Sequence, residues 1–466
     1  MRILLVNPPS GELTMGLKHV SRVEPLGLEI LGAAVPKHSV SLLDMEIDQD
    51  LVGALRKYRP DVVGVSAQVV QSYSALSALR AAKAFDPEIL TLVGGHHASL
   101  CPEEFNYPEV DAIVLGEGVP AFQAVIERWA RGSTDLLGIA GLAIPGSGEL
   151  LRTANRPVPS DLDHQPLPDR SLTARYRSKY FYLFETSVAS IQTSMGCTFG
   201  CTFCSCQRFS QRHFVPRSPE LIVEDLENIE EDFVIFCDDH SFLDPLRMER
   251  LHDQIVERGI RKRYFAYTRA DCVVQNPDLF AKWAAIGLQL VMTGLEAIDD
   301  PGIEAVEKGT SSAINEEALS ILATCGIVVS AGFLVRPDFT AADFERIDRY
   351  VVAHPNIVLS ELTPLTPLPG TLLYEEAKGS VSTQNRELYD LAHFVVPTQL
   401  PPEAMYRLMR KYYRRIVWRA IRRLQLYRPR TALRWHMVKL ALGAVQVDRM
   451  MRVAHRQSEA PVPVER

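Results

Sequence analysis

One eight-residue stretch constrains this chain more than any other part of its sequence. It begins at Cys197, ends at Cys204 and contains Cys201, in the spacing CxxxCxxC. Protein-bound iron–sulfur clusters are held by cysteine thiolates, and a short loop with this spacing can present three of them to one cluster. A closed zinc site takes four ligands, so the alternative is a zinc site completed by a distant residue. Three ligands leave one iron open, as a cluster that binds a cofactor or substrate requires.

Length and composition indicate a globular protein of more than one domain. The 466 residues suit two or three domains, with 47% hydrophobic and 23% charged residues. The net charge of −7 gives no reason to expect nucleic acid as a partner. Eight cysteines in so long a chain are not a disulfide framework, which favours a cytoplasmic location. We find no signal peptide pattern and no apolar run that could span a bilayer.

The first third alternates short apolar runs with helical patterns, which predicts a parallel sheet covered on both faces. We predict a Rossmann-like domain over residues 1–140, with its ligand at the carboxyl ends of the strands. A glycine pair there would let the backbone approach a flat ligand, and hydroxyl and amide groups would hold its polar edges. The predicted strands are 3–6, 40–43, 62–66, 89–93 and 112–115, and the predicted helices are 26–35, 51–57, 72–85 and 121–131.

A segment rich in proline, aspartate and arginine follows, and we interpret residues 141–185 as a linker. Residues 186–400 then show about six strand–helix units, which fit a partial (β/α)6 barrel better than a complete eight-fold one. The predicted strands are 190–193, 233–237, 264–267, 288–293, 328–334 and 357–362, and the predicted helices are 219–229, 245–258, 277–285 and 316–325.

Several motifs around these elements resemble one superfamily. They are Phe203 before the last cysteine, the sequences EPLGLE from Glu24 and GGHH from Gly94, and the sequences YTRAD from Tyr267 and GLEAID from Gly294. The chain resembles the radical S-adenosylmethionine (SAM) enzymes that carry an N-terminal cobalamin-binding domain, and within them the hopanoid C-3 methylases. The resemblance spans almost the whole chain. Its cluster and barrel motifs are specific for the superfamily, and its other motifs are much less specific for a substrate.

The resemblance implies three cofactors: a [4Fe-4S] cluster, SAM and cobalamin. Because the DxHxxG motif is absent after the first strand, it implies cobalamin without a histidine below the cobalt. The alternatives from residue types alone are a helix cap for the aspartates, a surface salt bridge for the arginine and a structural ion pair for the glutamate of the GLE motif. The implied ligands are Cys197, Cys201 and Cys204 for the cluster, Asp238, Asp239, Arg269 and Glu296 for SAM, and Ser66, Gln68, Gly94, Gly95, His97 and Glu117 for cobalamin.

The same resemblance implies a methyltransferase that acts on an unactivated carbon of a hopanoid-like lipid or a natural product. A 5′-deoxyadenosyl radical would abstract hydrogen, and the methyl group would come from methylcobalamin. A reducing protein such as a flavodoxin or ferredoxin would supply the electron. One alternative is a non-methylating cobalamin-dependent reaction, such as oxidative cyclisation or ring contraction. The other is a regulatory zinc or iron–sulfur protein without catalysis, against which the SAM motifs argue.

The C-terminal region, residues 401–466, changes in composition. Arginines dominate residues 407–434, while apolar side chains recur at helical spacing from Met405 to Leu424, which predicts a basic amphipathic helix. With Trp418 and Trp435 nearby, this helix would either lie on an anionic membrane surface or pack on the barrel with a solvated basic face.

Overall fold

Two parallel sheets organise the chain in a computed structural model that describes residues 1–15, 20–183, 185–427 and 445–457. The first sheet belongs to the N-terminal α/β unit, and the second forms an open six-stranded barrel. A long helix near the C-terminus follows. The predicted fold class is confirmed: a Rossmann-like unit, a partial barrel and a C-terminal helical region.

The first sheet has the strand order β3-β1-β4-β5-β6-β7-β8. After β1 the chain adds β3 on one side and then β4 on the other, so the strand order reverses between β1 and β4. In such sheets the ligand binds in the crevice at the carboxyl ends of the two strands where the order reverses. β7 and β8 pair antiparallel and extend this sheet into residues that the sequence assigns to the linker. The elements are β1 Arg2–Asn7, β2 Ser21–Arg22, α1 Leu26–Ala33, β3 Ser39–Asp44, α2 Leu51–Tyr58, β4 Val62–Ser66, α3 Ser72–Phe85, β5 Leu90–Gly94, α4 His96–Leu100, β6 Ala112–Val114, α5 Val119–Ala130, β7 Leu142–Ile144 and β8 Leu151–Arg152.

The second sheet is wholly parallel in the order β11-β14-β15-β16-β17-β18, so β11 and β18 are its two edges. Every residue of β17 is buried, because helices cover the outside of the sheet and side chains fill its inside. A separate pair, β12-β13, follows β11 along the chain. The elements of residues 181–377 are β9 Phe181–Tyr182, β10 Glu185–Thr186, β11 Val188–Ile191, β12 Ser194–Met195, α6 Cys206–Phe209, β13 Val215–Pro216, α7 Pro219–Asn228, β14 Phe233–Phe236, α8 Pro245–Glu257, β15 Arg263–Tyr267, α9 Ala270–Gln275, α10 Pro277–Ala285, β16 Leu288–Glu296, α11 Asp300–Glu304, α12 Ser312–Thr324, β17 Val328–Val335, α13 Ala341–Ala353, β18 Ile357–Pro364 and α14 Leu372–Ala377.

A small antiparallel sheet, β2-β9-β10, lies against the inside of the barrel. The Tyr182 ring stacks on Phe265 of β15 with 4.7 Å between centroids. The two oxygens of Glu185 accept hydrogen bonds from the guanidinium of Arg263, both at 2.9 Å. These contacts hold the segment before the barrel inside it.

A buried carboxylate joins the two units. Glu24, at the start of the EPLGLE motif, accepts a hydrogen bond from the backbone N–H of Ser190 at 2.8 Å. Its oxygens also pair with Arg170 at 2.8 Å and Arg177 at 2.6 Å, both on a 3₁₀ helix, Arg170–Lys179, in the linker. The motif therefore holds the Rossmann-like unit, the linker and the first barrel strand together.

Glu29 ends the same motif and is fully buried. One oxygen accepts a hydrogen bond from Thr173. The other has no hydrogen-bond partner among the described residues and lies 4.0 Å from Arg170. Burial, together with the charge of Glu24, raises the pKa of Glu29 to about 7.

We expect Glu29→Gln to stabilise the protein relative to the wild type as the pH rises. The Glu29 carboxyl loses its proton near pH 4.3 in the unfolded chain but only near its folded pKa of about 7 in the native protein. The contribution of Glu29 to the stability of the folded state therefore falls as the pH rises between these two values. The free energy of unfolding in urea should favour the variant by on the order of 3 kcal/mol more at about pH 8 than at about pH 4. The exposed Glu345→Gln is the control, and parallel pH profiles of wild type and Glu29→Gln would refute the assignment.

The long C-terminal helix α15, Pro402–Tyr427, packs its apolar face against the barrel. Several of its basic side chains form ion pairs: Arg415 and Arg419 reach Asp348 of α13. Of the two predicted roles for this helix, packing on the barrel is the one observed; residues 428–444, including Trp435, and residues 458–466 lie outside the described residues. A short helix α16, Ala454–Gln457, contacts α15. Among the described side chains of α15, the buried apolar ones are Met405, Tyr406, Met409, Tyr412, Ile416 and Ala420.

Candidate functional site

A cavity of about 720 Å³ lies between the two units, at the carboxyl ends of strands from both sheets. Gln68 and His96 border it from the Rossmann-like unit, and Ser205, next to the last cysteine of the loop, borders it from the barrel. Glu361 of β18 and Tyr413 of α15 complete its wall. Most of its surface is apolar. The space therefore suits a large apolar molecule that is bound between the cysteine loop and the first sheet.

The cysteine loop runs from β12 to α6 and depends on one glycine. Gly196 has a φ of +87°, and a Cβ there would lie 2.1 Å from the backbone oxygen of His213. Its N–H donates to Asp239 at 2.7 Å, and the N–H of Cys204 donates to the carbonyl of Cys201 at 3.0 Å. The backbone therefore turns tightly enough to bring the three cysteines onto one short loop.

The electrostatic surroundings of the three thiols differ, and burial raises the pKa of Cys197. A hydrogen bond from Cys206 lowers the pKa of Cys204 to about 7, which favours the thiolate, the form that binds metal. Burial raises the pKa of Cys201, while the charges of Lys308 and Arg269 oppose that effect. The Arg269 guanidinium lies 4.0 Å from the sulfur of Cys201. Two cations beside the thiols would balance the negative charge of a thiolate-bound cluster.

Arg269 also contacts an aromatic ring of the cysteine loop. Its guanidinium carbon lies 3.6 Å from the centroid of the Phe199 ring, a cation–π contact inside the CxxxCxxC segment. It donates to Asp271 at 2.9 Å and to the carbonyl of Lys308 at 2.9 Å, and it is buried. The ion pair between Arg269 and Asp271 is internal, so it is not the surface salt bridge that was the alternative to a SAM contact for Arg269.

The two adjacent aspartates have different environments. Asp238 is buried and accepts three hydrogen bonds, from the N–H and hydroxyl of Thr193 at 2.7 and 2.6 Å and from the N–H of Ser194 at 2.9 Å. These three hydrogen bonds hold its carboxylate against the residues that follow β11. Asp239 points the other way and its side chain is exposed. Of the pair, Asp239 is the carboxylate with room to receive an ammonium group.

Glu296 lies at the end of β16 with an unusual backbone. Its φ is +62°, at a bulge where β16 and β17 shift register, and Lys308 donates to its side chain at 2.7 Å. A Cβ on Gly294 would lie 2.1 Å from an oxygen of the same carboxylate, so a larger residue there would displace the Glu296 side chain. Arg269, Lys308 and Glu296 thus form one charged group beside Cys201.

Of the six residues predicted to contact cobalamin, two border the cavity and three lie at the glycine pair at the end of β5. The sixth, Glu117, lies elsewhere. Gln68 and His97 border the cavity. Gly95 has a φ of +95°, and a Cβ there would lie 2.9 Å from both the Ser66 hydroxyl and the Ala67 nitrogen, so the backbone forms a narrow shelf at the strand ends. Such a shelf, with no side chain on it, fits a large flat ring. Gly94 ends β5 beside it.

Glu117 does not border the cavity. It accepts hydrogen bonds from Gln165 at 2.9 Å and from the N–H of Val119 at 3.0 Å, and it lies 3.3 Å from His164. It therefore joins the linker to the first unit. The sequence motif placed it correctly after β6, but only the path of the linker decides what its carboxylate touches.

The two histidines of the GGHH motif have different partners. His97 is buried and lies 3.0 Å from Glu104. Glu104 in turn accepts a hydrogen bond at 2.7 Å from Arg386, which follows the barrel in the sequence. His96, which sequence reasoning did not select, lies 2.9 Å from the hydroxyl of Ser205 and stacks on Phe209. It is a direct contact between the shelf of the first unit and the cysteine loop. No sequence signal distinguishes it from its neighbour.

Comparison with known proteins agrees with this arrangement. The B12 binding domain family matches residues 13–126, and the Radical SAM superfamily matches residues 191–351. A hopanoid C-3 methylase of Methylococcus capsulatus is 32% identical over 438 residues, which cover 91% of this chain and 82% of that protein. An anaerobic magnesium-protoporphyrin IX monomethyl ester cyclase of Rubrivivax gelatinosus is 27% identical over 364 residues, 75% of this chain and 63% of that protein.

Among solved structures, the cobalamin-dependent S-adenosylmethionine radical enzyme OxsB, with aqua-cobalamin and S-adenosylmethionine bound, is similar with a TM-score of 0.72. The identity is 16%, and the match covers 98% of this chain and 72% of that one. At this identity the similarity concerns the fold, and it extends over both units and the C-terminal helix.

Proposed function

The chain belongs to the cobalamin-dependent radical SAM methyltransferases, and from that premise we propose that it methylates an unactivated carbon of an apolar, hopanoid-like lipid. It is accordingly an enzyme that uses a [4Fe-4S] cluster, SAM and cobalamin. The observation that carries the substrate class is the apolar cavity of about 720 Å³ between the cysteine loop and the first sheet. The similarity to a hopanoid C-3 methylase over nine-tenths of the chain supports the same substrate class.

When bound, the reduced cluster and SAM supply a 5′-deoxyadenosyl radical that removes a hydrogen atom, and cobalamin supplies the methyl group. We assign Cys197, Cys201 and Cys204 to the cluster. Arg269 and Lys308 hold positive charge beside Cys201 and stabilise the thiolates. The apolar walls exclude water from the space in which a carbon radical would exist.

We further propose that Asp239 binds the amine of SAM and that Glu296 accepts hydrogen bonds from its ribose. Asp239 is exposed and already touches the loop through Gly196, whereas Asp238 is fully hydrogen-bonded. Arg269 is close enough to the cluster loop to meet the carboxylate of SAM. Cobalamin would rest on the shelf at Gly94 and Gly95, with Ser66, Gln68 and His97 around it.

The function can be tested with anaerobically reconstituted enzyme containing cobalamin, a reductant and SAM carrying an isotopically labelled methyl group. With a hopanoid lipid, we expect labelled methylated hopanoid together with 5′-deoxyadenosine and S-adenosylhomocysteine. Asp239→Asn should reduce SAM cleavage, and the exposed Glu345→Gln should not. Release of 5′-deoxyadenosine with a cyclised or rearranged product and no S-adenosylhomocysteine would support a non-methylating reaction, as in the cyclase relative, and contradict the proposal.

We propose that a reduced flavodoxin or ferredoxin donates the electron, because the cluster must be reduced before it cleaves SAM. In the assay above, reduced flavodoxin alone should support product formation. Product formation that appears only with a chemical reductant would argue against such a donor.

We also propose peripheral contact with a membrane, where an apolar substrate would reside. No helix in the described part of the chain is both long and apolar enough to cross a bilayer. The outer face of α15 carries exposed Arg407, Lys411 and Trp418, and a basic face with an aromatic residue is typical of attachment to anionic lipid.

We expect the enzyme to sediment with vesicles that contain anionic lipid and not with neutral ones, with binding that weakens as salt increases. Replacing both Arg407 and Lys411 with Gln should reduce binding about thirtyfold, since each basic residue near such a surface contributes about 1 kcal/mol. Replacing Lys378 and Arg261 with Gln serves as the matched control for net charge. Equal binding to neutral vesicles would refute the electrostatic contact.

A further inference from the structure

Glu361 is an acidic side chain on the barrel side of a cavity whose surface is mostly apolar. It lies on β18, opposite Gly332 of β17, and borders the cavity together with Leu359 and Thr363. These three side chains alternate along the strand with buried Ser360 and Leu362, so they share the inner face of the barrel. The carboxyl group therefore projects toward the same space that we assign to the substrate.

The carboxyl of Glu361 has few protein partners to replace the water from which it is removed. Among the described residues, its one hydrogen bond comes from the Ser330 hydroxyl at 2.9 Å, and no arginine, lysine or histidine pairs with it. Burial raises the pKa of Glu361, and the Ser330 hydrogen bond opposes that effect. A carboxyl that is largely removed from water normally has its remaining hydrogen-bonding capacity satisfied, because leaving it unsatisfied costs free energy.

Two phenol groups accompany this carboxyl. Tyr267, at the end of β15, is level with Met292 of β16 and with Ser330 of β17, whose hydroxyl donates to Glu361. Tyr182, from the small sheet inside the barrel, stacks on Phe265, whose ring contacts that of Tyr267. The charge of Glu361 raises the pKa of both phenols. Neither hydroxyl has a hydrogen-bond partner among the residues that the structure describes. A carboxyl oxygen that can accept a hydrogen bond thus lies near two hydroxyls that can donate one.

We propose that Glu361, with Tyr267 and Tyr182, forms a polar subsite that binds a hydroxyl group of the otherwise apolar substrate and so determines which carbon faces the reacting groups. A hydroxyl matches this set because it both donates and accepts. Binding sites are commonly apolar pockets in which a few polar groups fix the orientation of the ligand. Glu361 is thus a positioning residue, and this inference rests on the proposed function in that it assumes an apolar substrate in this cavity.

The test compares pairs of probes that differ only in one hydroxyl. One pair is hopane and a monohydroxylated hopane, and the other is a long-chain alkane and its primary alcohol. Dissociation constants are measured by equilibrium dialysis with the reconstituted enzyme, for the wild type and for Glu361→Leu, Glu361→Gln and Tyr267→Phe. Cobalamin content and the melting temperature of each variant report on folding, and Glu345→Gln is the control on an exposed glutamate.

We expect the wild type to bind the hydroxylated member of at least one pair about tenfold or more tightly than the hydrocarbon of the same pair. This is the gain in affinity that one to two hydrogen bonds provide at a desolvated site. Glu361→Leu should abolish this preference by weakening binding of the alcohol, while affinity for the hydrocarbon stays within about twofold. Glu361→Gln should restore most of the preference, because its amide oxygen still accepts a hydrogen bond. Tyr267→Phe, which changes no volume, should reduce the preference several-fold and decides the question if Glu361→Leu fails to fold.

The outcomes separate this inference from the proposed function. Methylation of a hopanoid by a wild type that shows no hydroxyl preference in either pair would keep the function and overturn the subsite. A hydroxyl preference that depends on Glu361, in an enzyme that methylates no hopanoid, would keep the subsite and overturn the hopanoid proposal. A hydroxyl preference that survives both Glu361→Leu and Tyr267→Phe would place the polar contact elsewhere and overturn the subsite.

Discussion

Replacing Cys201 with alanine is expected to reduce SAM cleavage to background and to remove the cluster's visible absorption, while cobalamin binding persists. Cys201 is the most buried of the three cysteines in the loop, and it lies beside both Arg269 and Lys308. Without its thiolate the loop retains two ligands, while Arg269 and Lys308 keep Asp271 and Glu296 as their partners.

The matched control for this prediction is Cys325→Ala. Cys325 caps the end of α12 and lies outside the cavity lining, so we expect it to retain the cluster and full SAM cleavage. Iron and sulfide content, the absorption spectrum and 5′-deoxyadenosine release are measured on both variants. A Cys201→Ala protein that still holds a full cluster and cleaves SAM would show that the CxxxCxxC loop is not the cluster site.

Glu24→Ala is expected to destabilise the protein by about 3–5 kcal/mol, the usual cost of removing one partner from a buried ion pair. The change leaves Arg170 and Arg177 without the carboxylate that both contact, and it leaves the Ser190 N–H without its acceptor. Arg170 retains Asp225, and Arg177 retains Glu231, so each arginine remains half paired. The loss should loosen the attachment between the Rossmann-like unit and the barrel.

The measurement is urea unfolding, followed by limited proteolysis of the linker under native conditions. Glu24→Gln should lose less stability than Glu24→Ala, because an amide oxygen can still accept from Ser190, and the exposed Glu345→Ala should lose very little. If Glu24→Ala costs less than about 1 kcal/mol and does not speed cleavage of the linker, the network does not join the two units.

The resemblance of EPLGLE to a cobalamin-domain motif led to the correct fold, but not to the role of its residues. Sequence comparison associates Glu24 with a ligand-binding domain, whereas in the folded chain its partners come from residues 170, 177 and 190. Those contacts depend on how the linker returns across the first unit. Local sequence carries no information about that path, because the residues that meet are more than a hundred positions apart.

The adjacent aspartates illustrate the same limit at shorter range. Both carboxylates at positions 238 and 239 suited an ammonium ligand equally well by residue type. The direction of the chain after β14 turns Asp238 toward the N–H groups at the end of β11 and leaves Asp239 exposed. Which of two neighbouring side chains faces a site is decided by backbone geometry after a strand ends, and a one-residue difference reverses the answer.

The sequence by itself determined the strand–helix alternation, the parallel sheets and the cysteine loop, because apolar periodicity and ligand spacing are local properties that survive without knowledge of the partners. The predicted strand 62–66 and helix 72–85 match their observed bounds for that reason. Tertiary structure alone decided that α15 forms a wall of the cavity, that His96 meets Ser205 and that Glu361 faces the inside of the barrel. Each of these depends on contacts between distant segments, which only the packing of the whole chain brings together.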